Sequence, residues 1–141
     1  MEVVGIGTDI IECLRIARMI ERHGELFLSR AYTDWEIRYC RSRKHSTEHF
    51  AGRWAAKEAI LKCLGTGWRR GLDWTDIEVR NDLNGQPEVH VCGAAKEHAT
   101  KLHIANIFLS ISHCRAYATA HAIAVREPPA GDKPEPKTES P

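Results

Sequence analysis

The sequence predicts an α+β fold, an antiparallel sheet with helices packed on one of its sides. Two strand–turn–strand patterns in the second half carry that prediction, one across Asn84-Gly85 and one across residues 113–115. The third observation is a block of three helical patterns that separates them from a first apolar run. Hairpins that cluster, instead of alternating with helices, point to α+β and away from a parallel sheet.

Residues 3–7 (Val-Val-Gly-Ile-Gly) are a short apolar run, expected to be a buried strand, and Thr8-Asp9-Ile10 follows directly. A first helix is expected over 12–23 with Gly24 as its stop, because Leu14, Ala17 and Ile20 recur at helical spacing while Arg15, Arg18 and Arg22 face elsewhere. Thr33-Asp34-Trp35-Glu36 is a capping box, in which hydroxyl and carboxylate satisfy free amides at a helix start; that helix runs to about residue 41. The third helix, 47–64, has the strongest periodicity and ends at Gly65. Residues 76–80 and 88–91 alternate around Asn84-Gly85 as a hairpin. Residues 94–102 read as a short helix, and 107–112 and 117–125 as two more strands. From 127 to 141 the chain carries most of its prolines and no large apolar side chain, so it cannot offset its ordering entropy. The folded domain is therefore expected over 1–126, with 127–141 as a disordered tail.

Composition excludes several classes. Lys and Arg number 20 against 19 Asp and Glu, a net charge of +1, so bulk charge does not drive the chain toward nucleic acid or acidic lipid. No apolar run is long enough to span a bilayer, and the first residues lack the pattern of a secretory signal, so a cytoplasmic protein is expected. The five cysteines are odd in number and scattered without a Cys-x-x-Cys pair. They are expected as buried, reduced thiols, not as a disulfide framework or a zinc ribbon.

Several patterns suggest chemistry. His45-Ser-Thr-Glu-His49 has the H-x-x-E-H spacing of some zinc peptidases, but with Ser46 or Thr47 as the expected N-cap, His45 falls outside the helix. Gly5-Ile-Gly7 lacks the third glycine of a dinucleotide loop, since position 10 is Ile. Asp9 is either a cap or turn residue or a metal ligand. Arg38, Arg41, Arg43 and Lys44 form the densest basic stretch, a solvated helix face or a grip on phosphate. On the third helix Trp54, Glu58 and Lys62 lie four apart on one face, with Arg53 and Lys57 as an adjoining basic row. Glu58 and Lys62 are either an exposed ion pair or part of a polar site beside Phe50 and Trp54. Ser110 and Ser112 share a strand face just before His113, but no G-x-S-x-G elbow supports a hydrolase.

Three blocks in order go beyond spacing: Gly5-Ile-Gly-Thr-Asp-Ile10, Phe50-Ala-Gly-Arg-Trp-Ala-Ala-Lys-Glu-Ala59 with Lys62, and Leu109-Ser-Ile-Ser-His113. Together they resemble the signature of the holo-[acyl-carrier-protein] synthases, small 4'-phosphopantetheinyl transferases, over residues 1–125. The resemblance implies transfer of 4'-phosphopantetheine from coenzyme A to a serine of apo-acyl carrier protein, releasing adenosine 3',5'-bisphosphate. It implies Mg2+, and a homotrimer with active sites at subunit interfaces.

By motif match, Asp9 and Glu58 are the metal carboxylates, and Glu58, directly or through a metal-bound water, accepts the serine proton. Lys62 neutralises charge on the breaking pyrophosphate. Arg53 and His113 match positions that contact coenzyme A phosphates. Gly65, Thr66 and Gly67 offer a turn for close approach of phosphate or adenine, and Lys44 is a candidate for the 3'-phosphate. The acidic carrier protein is placed on the first helix, where Arg15, Arg18 and Arg22 supply complementary charge. Trp54 stands where Phe is common in the family and Cys63 where Ala is common. A non-catalytic module that binds coenzyme A or the carrier protein is the alternative, and it leaves the joint presence of Asp9, Glu58 and Lys62 without a purpose.

Overall fold

The computed structural model describes residues 1–65 and 71–128. Thr66, Gly67 and the tail from 129 onward lie outside the described residues. The order is β1 (Glu2–Glu12), α1 (Cys13–Ala31), α2 (Asp34–Arg41), α3 (Ser46–Leu64), a single 3-10 turn (Trp74–Asp76), β2 (Ile77–Asn81), β3 (Pro87–Val91), α4 (Gly93–Lys101), β4 (Asn106–His113) and β5 (Tyr117–Arg126). The architecture is the expected α+β. Pairing divides the strands between two antiparallel sheets: β1-β5-β4, and the hairpin β2-β3.

α3 is the central element and lies across the three-stranded sheet. Small side chains let it come close. Ala51, Ala55, Ala56 and Ala59 of the helix and Ala118, Ala120, Ala122 and Ala124 of β5 are all fully buried. Gly5 and Gly7 mark the tightest approach to β1. A Cβ at Gly5 would stand 2.0 Å from the Cys63 carbonyl oxygen, and one at Gly7 only 1.9 Å from that of Ala59. The two glycines are therefore a helix-packing device.

Glu36 shows how a local signal acquires a long-range role. The capping box forms as expected: Thr33 Oγ1 accepts from the Glu36 amide, and Glu36 Oε1 accepts from the Thr33 amide at 2.9 Å. The same carboxylate is fully buried, pairs with Lys57 Nζ at 2.7 Å and accepts the Val79 amide at 3.0 Å. Lys57 donates further to the carbonyls of Ala31 and Trp74, which uses all three of its protons. Burial pushes the Lys57 ammonium below its ordinary range, and Glu36 opposes that shift. One ion pair thus ties the end of α1, the start of α2, the middle of α3 and β2.

Several expectations are corrected. β1 is not buried on both faces: Ile6 is 73 % exposed, and Val3 and Ile10 are also exposed. It continues to Glu12, so Asp9 lies inside the strand opposite Ala120 and caps nothing. Gly24 bends α1 without ending it. Its φ of 50° and ψ of −129° suit a residue without a Cβ, and the helix resumes to bury Phe27, Leu28 and Ala31. The α3 N-cap is His45, just ahead of the expected Ser46 or Thr47. Arg53 and Lys57 form no exposed basic row, because helix, sheet and hairpin cover α3 on almost every side. Cys13, Cys40 and Cys63 are buried, but Cys92 and Cys114 are exposed; all five are free. No helix among the described residues is long and apolar enough to cross a membrane.

Candidate active site

The candidate site is an open cleft of about 420 Å³ where β1 runs beside α3. Asp9, Ile10, Ile11, Glu12, Arg15, Trp54, Glu58, Lys62 and Tyr117 line it. Strand alternation turns Asp9 toward the helix, on the same side as Gly7 and Ile11. The four-residue spacing on α3 stacks Trp54, Glu58 and Lys62 along the opposite wall. Lys62 Nζ donates to Asp9 Oδ1 at 3.0 Å and to the Thr8 carbonyl at 2.9 Å. Lys62 therefore pairs with an acid 53 residues away, and an isolated Glu58–Lys62 surface pair is not what this face provides. The close approach at Gly5 and Gly7 holds the two walls at this distance.

The chemistry of the donors is specific. Asp9 and Glu58 offer hard carboxylate oxygens, and Lys62 and Arg15 offer positive charge. Among the described residues no group of three or more His, Cys, Asp or Glu is arranged to hold a metal ion. Two carboxylates suit Mg2+, which keeps several waters and binds through one or two carboxylates plus phosphate oxygens. They do not suit a closed structural zinc site.

Of the other expected site residues that are described, Arg15 lines the cleft, and Lys44, Arg53 and His113 stand elsewhere. Arg53 is 3 % exposed. Its Nε donates to the Val79 carbonyl at 3.2 Å, its Nη2 donates to Asn81, and its guanidinium lies 4.2 Å over the Tyr39 ring. In the single chain it holds the β2-β3 hairpin to α3 and does not face the cleft. Gly65 closes α3 in a left-handed conformation at φ 75°. Arg15, Arg18 and Arg22 share the exposed face of α1, with Arg15 at the cleft. Lys44 borders a second hollow, of about 400 Å³, with Cys13, Leu14, Ser46, Glu48 and Arg115.

His113, the last residue of β4, sits beside that hollow in a cluster that sequence reasoning missed. Its Nδ1 lies 3.0 Å from Glu48 Oε1, and its ring packs edge-to-face on His49 with centroids 4.8 Å apart. The hydrogen bond from His113 holds the Glu48 carboxyl below its usual range, burial partly opposes this, and charge on His113, His45 and His49 reinforces it. Burial pushes the His49 imidazolium down, followed by repulsion from His113, Arg53 and Arg43. The spacing Glu48-His49 before the conspicuous Phe50–Ala59 block was the available signal, but its meaning depends on a strand 65 residues away.

Fold and cleft together define a small α+β protein with the carboxylates of Asp9, Glu12 and Glu58 and the cations of Arg15 and Lys62 around one open site, a donor set that suits phosphate esters. Residues 5–125 match the model of the 4'-phosphopantetheinyl transferase superfamily. A holo-[acyl-carrier-protein] synthase from Solibacter usitatus is 46% identical over 121 residues, covering 86% of this chain and 97% of that protein. The crystal structure of the synthase from Neisseria meningitidis superposes with a TM-score of 0.81 at 31% identity, covering 88% of this chain and 99% of that one. The synthase from Bacillus anthracis, solved in complex with CoA (3',5'-ADP), superposes with a TM-score of 0.75 at 36% identity, covering 90% and 100%. The chain belongs to the holo-[acyl-carrier-protein] synthases, and it is a 4'-phosphopantetheinyl transferase.

Proposed function

We propose that this enzyme transfers 4'-phosphopantetheine from coenzyme A to a serine hydroxyl of apo-acyl carrier protein and releases adenosine 3',5'-bisphosphate. The convergence of Asp9, Glu58 and Lys62 in one cleft carries this reading. The serine oxygen forms a bond to the phosphorus that bears the pantetheine arm. The bond from that phosphorus to the bridging pyrophosphate oxygen breaks, and its electron pair leaves with the adenosine bisphosphate. Glu58 accepts the serine proton. Lys62, held by Asp9 and the Thr8 carbonyl, places its charge where the leaving phosphate becomes more negative. Asp9 and Glu58 would hold Mg2+, which when bound neutralises charge on the pyrophosphate oxygens. Arg15, with Arg18 and Arg22 behind it, meets an acidic carrier protein at the mouth of the same cleft.

The active form proposed is a homotrimer whose sites lie between subunits. Two observations support this. Lys44, Arg53 and His113 do not line the cleft of their own chain, so phosphate contacts from these positions are drawn from a neighbouring copy. The sheet face away from α3 is also uncovered, with Ile6, Ile123 and Phe108 in register as an exposed apolar row across the three strands. The transferase domain proposed spans residues 1–126.

The test is to incubate the protein with apo-acyl carrier protein, coenzyme A and Mg2+, and weigh the carrier by mass spectrometry. A gain of one phosphopantetheine that disappears without Mg2+ is the expected result. Coenzyme A binding without any gain would replace this reading with a binding module. Absence of both would remove it altogether.

A further inference from the structure

We propose that Glu48 is a positioning residue that orients His113 for a phosphate remote from the reacting phosphorus. The inference rests on the reading of His113 as a phosphate contact. Glu48 lies in the first turn of α3 and His113 ends β4, so the fold alone joins them. An ionised carboxylate only accepts hydrogen bonds, so the 3.0 Å contact places a proton on His113 Nδ1. The ring's other nitrogen is then the one available to a ligand. With a phosphate on Nε2 and Glu48 on Nδ1, the imidazole sits between two anions. A neutral ring with its proton on Nδ1 would instead turn a lone pair toward the phosphate.

The surroundings hold the ring in plane. His49 packs edge-to-face against it, and His49 in turn meets Tyr39 at 5.9 Å. The titratable and charged groups around the pair are His45 and His49 from α3, Cys13 of α1, and Cys114 and Arg115 after β4. Glu48 is the carboxylate set among these histidines. Lys44, the candidate for the 3'-phosphate, and Glu48 line the same hollow, so the phosphate assigned to His113 is the 3'-phosphate of coenzyme A.

The experiment compares coenzyme A with 3'-dephospho-coenzyme A in the wild type, Glu48→Gln, Glu48→Ala and His113→Ala, and follows the His113 ring by nitrogen-15 NMR. In Glu48→Ala the KM for coenzyme A is expected to rise about tenfold, the size of one charge-assisted hydrogen bond, with kcat within about twofold. The KM for the dephospho substrate should stay constant. Glu48→Gln, which keeps an acceptor without its charge, should be intermediate. The NMR signature of protons on both ring nitrogens in the coenzyme A complex should be lost in Glu48→Ala. An unchanged signature in that variant overturns the positioning role. Equal loss on both substrates reduces Glu48 to a structural residue. A changed signature, with both KM values unaffected in Glu48→Ala and His113→Ala, refutes the phosphate contact itself.

Discussion

Replacing Gly7 with alanine would place a methyl group 1.9 Å from the Ala59 carbonyl oxygen and 2.9 Å from the Cys63 amide nitrogen. Both are backbone atoms of α3, so no side-chain rotation relieves the contact. The helix must retreat from β1 by roughly 1.5 Å to restore ordinary van der Waals distance. α3 is also held by β5, β4 and the Glu36–Lys57 pair, so that retreat strains the core as a whole. Overpacking of this kind costs about 1–3 kcal/mol, and a clash with backbone belongs at the upper end, a fall in Tm of roughly 10 °C. The same movement draws Lys62 away from Asp9 and the Thr8 carbonyl, now 3.0 and 2.9 Å distant. Displacing a positioned group by about an ångström costs on the order of 100-fold in rate. The assays are a thermal melt and carrier-protein modification followed by mass spectrometry, run well below the variant's Tm so that unfolding does not account for lost turnover. A Gly7→Ala protein with wild-type Tm and full activity would refute the argument that the glycines set the distance across the cleft.

Asp9→Asn and Glu58→Gln should each abolish detectable modification while the circular dichroism spectrum and Tm stay close to wild type; full turnover in either would remove that carboxylate from the chemistry. Lys57→Met leaves Glu36 buried without its cation and should destabilise the fold by about 3–5 kcal/mol, read as a shift in the urea midpoint; an unchanged midpoint would show that the pair holds nothing together. Combining Arg15→Glu with Arg22→Glu should raise the KM for carrier protein more than that for coenzyme A, most at low salt; equal effects on both substrates would argue against a docking helix. Because the Glu48 carboxyl is held below its usual range in the folded state, its stabilising contribution is complete above the unfolded value. That contribution should be lost as pH falls through the depressed one, so Glu48→Gln should flatten the acid limb of the stability curve.

Much of the architecture was legible because it rests on short-range chemistry. The Thr33-to-Glu36 capping box, the Asn84-Gly85 hairpin and the Gly65 stop of α3 each depend on residues a few positions apart, and each appears where local pattern places it. That Glu58 and Lys62 share one cleft with Asp9 was legible for a related reason. Glu58 and Lys62 share a helix face by their spacing, and Asp9 stands within a recognisable block beside the glycines. What stayed hidden were facts set by distant partners. Arg53 and Lys57 read only as a basic row beside the Trp54–Glu58–Lys62 face, and the hairpin and α2 that close over them are not visible in that spacing. Gly24 read as a stop because a local pattern cannot show that Phe27 and Leu28 find a core beyond the bend. Val3, Ile6 and Ile10 read as buried although the single chain covers only one face of its sheet.

The residue types and their order are enough to specify an α+β transferase of this family, since its elements follow from local periodicity and its membership from motif. Tertiary structure alone decides that Glu36 is an anchor as well as a cap, that Glu48 meets His113, and that Lys44, Arg53 and His113 stand apart from the cleft. Each of these depends on a buried or close-range pairing between residues tens of positions apart. Burial changes what a charged side chain can do, and no pattern along the chain encodes which distant group will share that burial.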